Sequence, residues 1–365
     1  TGYSNNGTND DYYTAKYAAA DGTLLWEKRY NGPANINDQA VAVVVDGSGN
    51  VVVTGWFVDT NLNADFYTAK YATENGSLLW ERRYNGPANK HDFATSMAVD
   101  GIGNVIVTGT SDNGSNVDYY TAKYAAVDGA LLWERRRTGP VNKDFGAASV
   151  AVDAIGNVIV TGNSNNGTND DYYTVKYAAA DGSLLWEKRY NGPADGYDSA
   201  KAVAVDAVGN AVVTGYSYNG SDADCYTVKY AAANGATLWE KRYNGPTSAD
   251  DAIPTQRSLS LGSNGMVAIA GYSIANFNRG YSDARDYVTI VYRENLPSVS
   301  ITRVPAGLLF RFPGIAGRSY QVLRAPAITG PWSTNATFIA ATNGLIEYID
   351  ATPLPGSAFY RTSTP

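Results

Sequence analysis

The chain has 365 residues and a formal net charge of −7, with 44% hydrophobic and 17% charged residues. The negative balance argues against nucleic acid or an anionic membrane as partner, and no run approaches the roughly 20 apolar residues of a helical membrane span. A single cysteine, Cys225, excludes an intrachain disulfide framework.

From the N-terminus, TGYSNNGTNDDYY matches TGNSNNGTNDDYY at Thr161–Tyr173, so Thr1 lies within a second strand of a repeat and the first unit supplies three strands. The first residue is Thr and no signal peptide is visible, so a mature or trimmed chain is expected. Tyr12–Pro33, YYTAKYAAADGTLLWEKRYNGP, then reads as two short strands and a tight turn, with close copies from Phe66, Tyr119, Tyr172 and Cys225. Trp26, Trp80, Trp133, Trp186 and Trp239 recur every 53 or 54 residues, the period of an array of one supersecondary unit.

Each unit carries four runs rich in Val, Ile, Tyr, Thr and Trp, separated by Gly, Asn, Asp and Pro. One unit has them at Ala94–Val99, Asn104–Thr110, Asp118–Tyr124 and Ala130–Arg136. No stretch has a capped helical period. Four antiparallel strands per repeat is the cue of a β-propeller blade. Full units begin near Ala40, Ala94, Ala147 and Ala200. A degenerate one begins near Ser258, with Val291 in place of the repeated lysine and no LLWE strand. The prediction is an all-β chain with a β-propeller of about six four-stranded blades, within five to seven, over residues 1–295.

A two-residue type I′ loop at Asp21-Gly22 fixes a hairpin register. It sets Lys16 opposite Glu27 and Tyr17 opposite Trp26, and in the copies Lys70 opposite Glu81, Lys123 opposite Glu134, Lys176 opposite Glu187 and Lys229 opposite Glu240. Such cross-strand pairs fix register, and their fivefold recurrence favours structure over acid–base chemistry. In the degenerate unit, Ser298–Arg303 is a candidate for the absent outer strand. From about residue 296 the repeat stops. New strand-like runs (SVSITRV, GLLFRF, SYQVLRA, FIAAT, LIEYIDA, AFYRTS) predict a small β-sandwich over 296–365.

The block AVAVD-x-x-GNVxVTG (Val150–Gly162, Val203–Gly215), the DYYTAKY strand and G-x-LLWE resemble the bacterial SBBP repeat of secreted and surface proteins. The resemblance covers Thr1–Arg293 and implies an extracellular propeller with no shared catalytic site. The segment GRSYQVLRAP…GPW…NGLIEYIDATPLPGSAFYR resembles C-terminal immunoglobulin-like modules of secreted bacterial proteins. Ala19–Gly32, AADGTLLWEKRYNG, is similar to the tryptophan-docking repeat of quinoprotein dehydrogenases, many of which use a vicinal cysteine pair that this chain lacks.

No residue stands out as catalytic. His91, the single histidine, lies in an inter-repeat loop, and no HExxH motif or phosphate-binding glycine loop is present. Asp38, Asp92, Asp144, Asp198 and Asp251 recur at the entry to each unit. Their oxygens suit Ca²⁺, although repetition favours turn fixing. Asp46, Asp100, Asp153 and Asp206, in D-x-x-G-N, read as turn residues too. N-x-[ST] sequons fall at Asn6, Asn75, Asn113, Asn166, Asn219 and Asn335. Cys225 stands where sister copies carry Tyr or Phe and reads as a buried neutral substitution. The expected protein is a non-catalytic extracellular structural or interaction module without a cofactor. Its partners would be other protein subunits, including copies of itself assembled by strand complementation. A glycan-binding loop face around Tyr197 and Asp198 is the first alternative, and a quinoprotein-like enzyme the second.

Overall fold

A computed structural model describes residues 1–138, 145–245, 249–253, 255, 257–262, 265–274, 285–293, 300–313, 319–327, 329–339, 345–354 and 359–363. The chain divides into two compact units, Thr1–Tyr292 and Arg293–Pro365. Among the described residues every regular element is a strand, and no helix is long and apolar enough to cross a membrane.

The first unit is a β-propeller array of antiparallel sheets. The first sheet has three strands, β1 (Gly2–Asn5), β2 (Asp10–Tyr17) and β3 (Leu24–Tyr30). Four four-stranded blades follow. The second blade comprises β4 (Gln39–Val45), β5 (Val51–Val58), β6 (Ala64–Tyr71) and β7 (Leu78–Tyr84). The third comprises β8 (Asp92–Val99), β9 (Val105–Asp112), β10 (Val117–Tyr124) and β11 (Leu131–Arg137). The fourth comprises β12 (Phe145–Val152), β13 (Val158–Asn165), β14 (Asp170–Tyr177) and β15 (Leu184–Tyr190). The fifth comprises β16 (Asp198–Val205), β17 (Ala211–Tyr218), β18 (Ala223–Tyr230) and β19 (Thr237–Tyr243). In the last sheet the inner strand is split into β20 (Asp251–Ala252) and β21 (Leu259–Leu261). Both pair with β22 (Met266–Ile274), which also pairs with β23 (Arg285–Arg293).

The cores lie between blades. Ile106, Tyr119 and Trp133 of the third blade pack against Val150, Val158, Tyr173 and Tyr177 of the fourth, and the same pattern recurs at the neighbouring interfaces. Every residue of β6 is buried, because a middle strand meets a blade on either side. Alternation therefore assigns side chains to different neighbours. Phe66 meets Tyr120 of the following blade, whereas Tyr67 meets Tyr12 and Tyr30 of the preceding one.

The hairpin register differs from the expected one. Lys16 faces Trp26 and Ala15 faces Glu27, with a bulge before Tyr17 pairs with Leu24. The same holds for Lys70–Trp80, Lys123–Trp133, Lys176–Trp186 and Lys229–Trp239. The loop is longer than two residues. Ala18 N–H donates to Thr23 O at 2.8 Å and Gly22 N–H to Ala18 O at 3.0 Å. Only Gly22 has a positive φ, 74°, whereas a type I′ turn needs two such residues. The slip of one residue puts each lysine on the opposite face from its expected glutamate.

In the second unit, β24 (Ser300–Val304), β25 (Gly307–Pro313) and β28 (Leu345–Asp350) form one sheet. Strands β27 (Ser333–Ile339), β26 (Ser319–Ala325) and β29 (Phe359–Ser363) form another. Phe310, Phe312 and Ile346 of the first share a core with Val322 of the second. Ser300–Val304 thus pairs with β25 in this unit and does not complete the last blade as expected; residues 298 and 299 lie outside the described residues.

Candidate functional site: inter-blade clasps, carboxylate anchors and surface grooves

The antiparallel order puts the first and third turns of each blade at one end, here called the upper end. The second turn and the blade-to-blade connection lie at the lower end.

At the upper end the repeated lysine and tryptophan grip the next blade. Lys123 Nζ lies 2.9 Å from Asp100 Oδ2 of its own first turn and donates to Ala179 O of the next blade at 3.0 Å. Trp133 Nε1 donates to the same carbonyl at 3.2 Å, and the Trp133 ring tilts against Tyr177 at 6.1 Å. Arg135 adds a bond from Nε to Gly182 O at 2.7 Å. Lys70 pairs with Asp46 and bonds Ala126 O, Lys176 pairs with Asp153 and bonds Ala232 O, and Lys229 pairs with Asp206. The aspartates also hold their turns as expected: Asp100 Oδ1 accepts N–H groups from Ile102 and Asn104. Burial would raise the Asp100 carboxyl, but Lys123 and Asn104 outweigh it and hold the group below the usual carboxylate range. The last sheet places Gly262 where other blades have this aspartate and Val291 where they have lysine, so both partners are lost together. The displaced glutamates serve elsewhere: Tyr120 O–H donates to Glu134 Oε2 at 2.6 Å and Tyr226 O–H to Glu240 Oε2 at 2.6 Å.

Because Lys123 and Trp133 both serve Ala179 O, removing one donor leaves that carbonyl satisfied. Trp133→Phe should therefore cost only about 1–2 kcal/mol in thermal unfolding. A loss beyond about 4 kcal/mol would show that the indole N–H carries the clasp itself.

At the lower end, Asp38, Asp92, Asp198 and Asp251 are fully buried. Each accepts the backbone N–H of a glycine six residues back: Gly32, Gly86, Gly192 and Gly245. Burial raises all four carboxyls. They anchor connections, and among the described residues no three His, Cys, Asp or Glu side chains converge as metal ligands. Asp144 lies outside the described residues.

A second set of aspartates opens each third strand. Asn6, Asn113, Asn166 and Asn219 turn their side-chain amides onto Asp11, Asp118, Asp171 and Asp224. These four sequon nitrogens are thus engaged within their own loops. Asn75 is exposed at a turn, where its Oδ1 accepts from Ser77 N–H, and Asn335 donates to Tyr348 O–H. Arg136, Arg189 and Arg242 add ion pairs to Asp118, Asp171 and Asp224.

The second blade departs from this pattern. Phe57 replaces the serine found at Ser4, Ser111, Ser164 and Ser217, and Arg83 lies over the rings of Tyr30 and Phe57. Its loop, Asp59–Asn63, has no amide on Asp65, whose buried Oδ1 has no hydrogen-bond partner. Burial, Asp59 and Asp92 push Asp65 up to about 7. His91 lies alongside: Ala64 N–H donates to its Nδ1 at 3.0 Å. Sequence reasoning missed this site. The signal was present in the Phe57 substitution and in the single 54-residue interval. Cys225 is buried between the fifth blade and the last sheet, and burial, Asp251 and Asp224 push its thiol up to about 12.

Surface grooves open at both ends among the described residues. One, of about 510 Å³, lies at the upper end between the second and third blades, lined by Asp46, Lys70, Leu79, Ile102 and Val127 among others. Ile102, Val127 and Ile155 stand 81%, 88% and 78% exposed. The other, of about 500 Å³, runs past the stacked Tyr190–Tyr226 pair, Pro193, Glu240 and Arg242.

Residues 121–276, fewer than half of the chain, match the family described as outer membrane protein assembly factor BamB. No curated protein matches the sequence. Among solved structures, BamB from Moraxella catarrhalis is similar over 83% of this chain and 81% of its own, at 13% identity and a TM-score of 0.38. The quinohemoprotein alcohol dehydrogenase ADHIIG from Pseudomonas putida HK5 is similar over 81% of this chain and 55% of its own, at 14% identity and a TM-score of 0.45. Sqt1 from Chaetomium thermophilum, solved with the N-terminus of ribosomal protein L10, is similar over 77% of this chain and 64% of its own, at 11% identity and a TM-score of 0.46.

Proposed function

We propose that this chain is a non-catalytic extracellular interaction protein whose upper propeller face docks apolar protein surfaces, copies of itself included. The observation that carries this reading is the upper groove with its projecting side chains Ile102 and Val127, together with the exposed Ile155 on the first turn of the next blade. Their exposure leaves an apolar surface without a partner in the fold. The polar side chains around them are occupied in clasps: Asp46 holds Lys70, and Asp100 holds Lys123. Strand complementation between chains is a second mode of self-assembly in this reading.

Sedimentation of the full chain over a range of concentrations tests the reading. The wild type should associate. A variant with Ile102, Val127 and Ile155 all changed to Ser should remain monomeric, with stability within about 0.5 kcal/mol of wild type. Equal association of both proteins removes the upper face from the proposal. A wild type that stays monomeric throughout removes self-assembly.

Glycan binding at the lower face is the second reading, favoured by Tyr197, which is 65% exposed beside the buried Asp198. Loss of glycan-array signal in Tyr197→Ala would support it. A quinoprotein-like activity has less support: it would have to work without a paired thiol, since the single cysteine, Cys225, is buried.

A further inference from the structure

We propose that the lower end of the second blade is a proton-operated latch. In it, the Asp59–Asn63 loop, bonded from Asn63 Nδ2 to Asn89 O, stays closed against the Asn85–Asp92 connection while Asp65 is protonated, and loss of that proton opens the loop.

Asp65 is 3% exposed, and its Oδ1 makes no hydrogen bond. Sister carboxylates at the same place in the repeat are paired. Asp118 receives Asn113 Nδ2 at 2.9 Å and Arg136 at 2.8 Å, and Asp224 receives Asn219 and Arg242, each at 3.0 Å. Two changes deprive Asp65 of both donors. The one-residue-longer loop turns the Asn61 amide and the Asn61 and Asn63 backbone N–H groups onto Asp59, and the Asn63 amide onto Asn89 O. Phe57 fills the serine position, and Arg83 settles over it and over Tyr30, with an ion pair to Glu81 at 3.3 Å.

The titratable groups around Asp65 do not compensate. Asp59 on its own loop and Asp92 at the start of β8 are both acidic. Asp38, on the preceding connection, accepts from Val58 N–H, and Arg136 and Asp112 act on Asp92. His91 accepts the Ala64 N–H through Nδ1. An unpaired buried carboxylate is costly, whereas a carboxylic acid is tolerated.

The folded carboxyl titrates at about 7, against roughly 3.9 for a solvated aspartate. A raised acid favours the closed form fully below the solvated value. That preference declines as pH rises towards the folded value and is flat above it. Opening should therefore increase about tenfold per pH unit between pH 5 and 7 and then level off.

Hydrogen exchange on the full chain, with intrinsic rates divided out, tests this. Amides of residues 59–66 should lose about 100-fold in protection from pH 5 to 7, whereas the sister loop 112–118, whose Asp118 is held by Asn113 and Arg136, should not change. Asp65→Asn should abolish the pH dependence. If Asp65→Asn fails to fold, Phe57→Ser decides: with the serine restored, Arg83 should reach Asp65, and the pH response should disappear. The latch is overturned if Asp65→Asn shows the wild-type profile or, failing that variant, if Phe57→Ser does.

Discussion

Lys123→Met is expected to destabilise the propeller by about 3–5 kcal/mol, because it strands a buried carboxylate. Lys123 and Asp100 lie 2.9 Å apart with side chains 4% exposed each, and Lys123 also holds Ala179 O of the next blade. The attraction between the charges roughly offsets their desolvation, so the large cost belongs to breaking the pair, not to replacing it. Lys123→Met with Asp100→Asn should therefore lose less than the sum of the single changes. The pair Lys229–Asp206 is a built-in comparison. Asp206 is 19% exposed, so stranding it should cost less. Urea unfolding of the two single variants, the double variant and Lys229→Met measures this. A Lys123→Met protein within about 1 kcal/mol of wild type would sink the clasp as a structural element.

The same pairs set the acid limb of stability. Burial raises Asp46, Asp100, Asp153 and Asp206, but their lysines and asparagines outweigh it and hold them low. A depressed carboxyl contributes stability above the solvated value of roughly 3.9, and this is lost as pH falls through the folded value. Asp65 has the opposite sign, so the clasps weaken in acid while the second blade's loop tightens between pH 7 and 4.

The blade architecture was legible because period, strand composition and turn residues agreed with one another. Trp26 and its copies marked the third turn correctly. The register was not legible, because a lysine and a glutamate spaced to face each other across Asp21-Gly22 make a plausible pair. What decides the register is a longer loop with a bulge at Leu25, and Asp-Gly suits both. The true partner of Lys70, Lys123, Lys176 and Lys229, the D-x-x-G-N aspartate, lies two strands away in sequence, where hairpin reasoning does not reach. The anchor role of Asp38 and its copies followed from repetition. The unpaired state of Asp65 could be seen only by comparing blades, since the aspartate itself is common to all of them. What differs is the phenylalanine eight residues earlier, which takes the serine position.

Among the described glycines of the four complete blades, that of the V-T-G segment leaves the least room for a Cβ, and Gly109→Ala is expected to cost more than about 4 kcal/mol. A Cβ there would lie 2.0 Å from Phe93 O, 2.7 Å from Phe66 Cζ and 2.9 Å from Ala94 Cα. Two of these neighbours are backbone of the inner strand β8, at the bulge between Ala94 and Ser96, so no rotamer change relieves the overlap. The third belongs to the preceding blade, so the strain reaches the interface that fixes the register of two blades. Gly55, Gly162 and Gly215 meet inner-strand carbonyls as closely, which makes the requirement a property of the repeat. Gly101→Ala is the control: nothing lies within 4 Å of its Cβ position, and it should stay within about 0.5 kcal/mol of wild type. Thermal unfolding followed by circular dichroism separates the two. Equal melting temperatures for both variants would mean that inner strand and glycine are not in van der Waals contact, and the bulged inner strand would lose its role in setting how closely the blades pack.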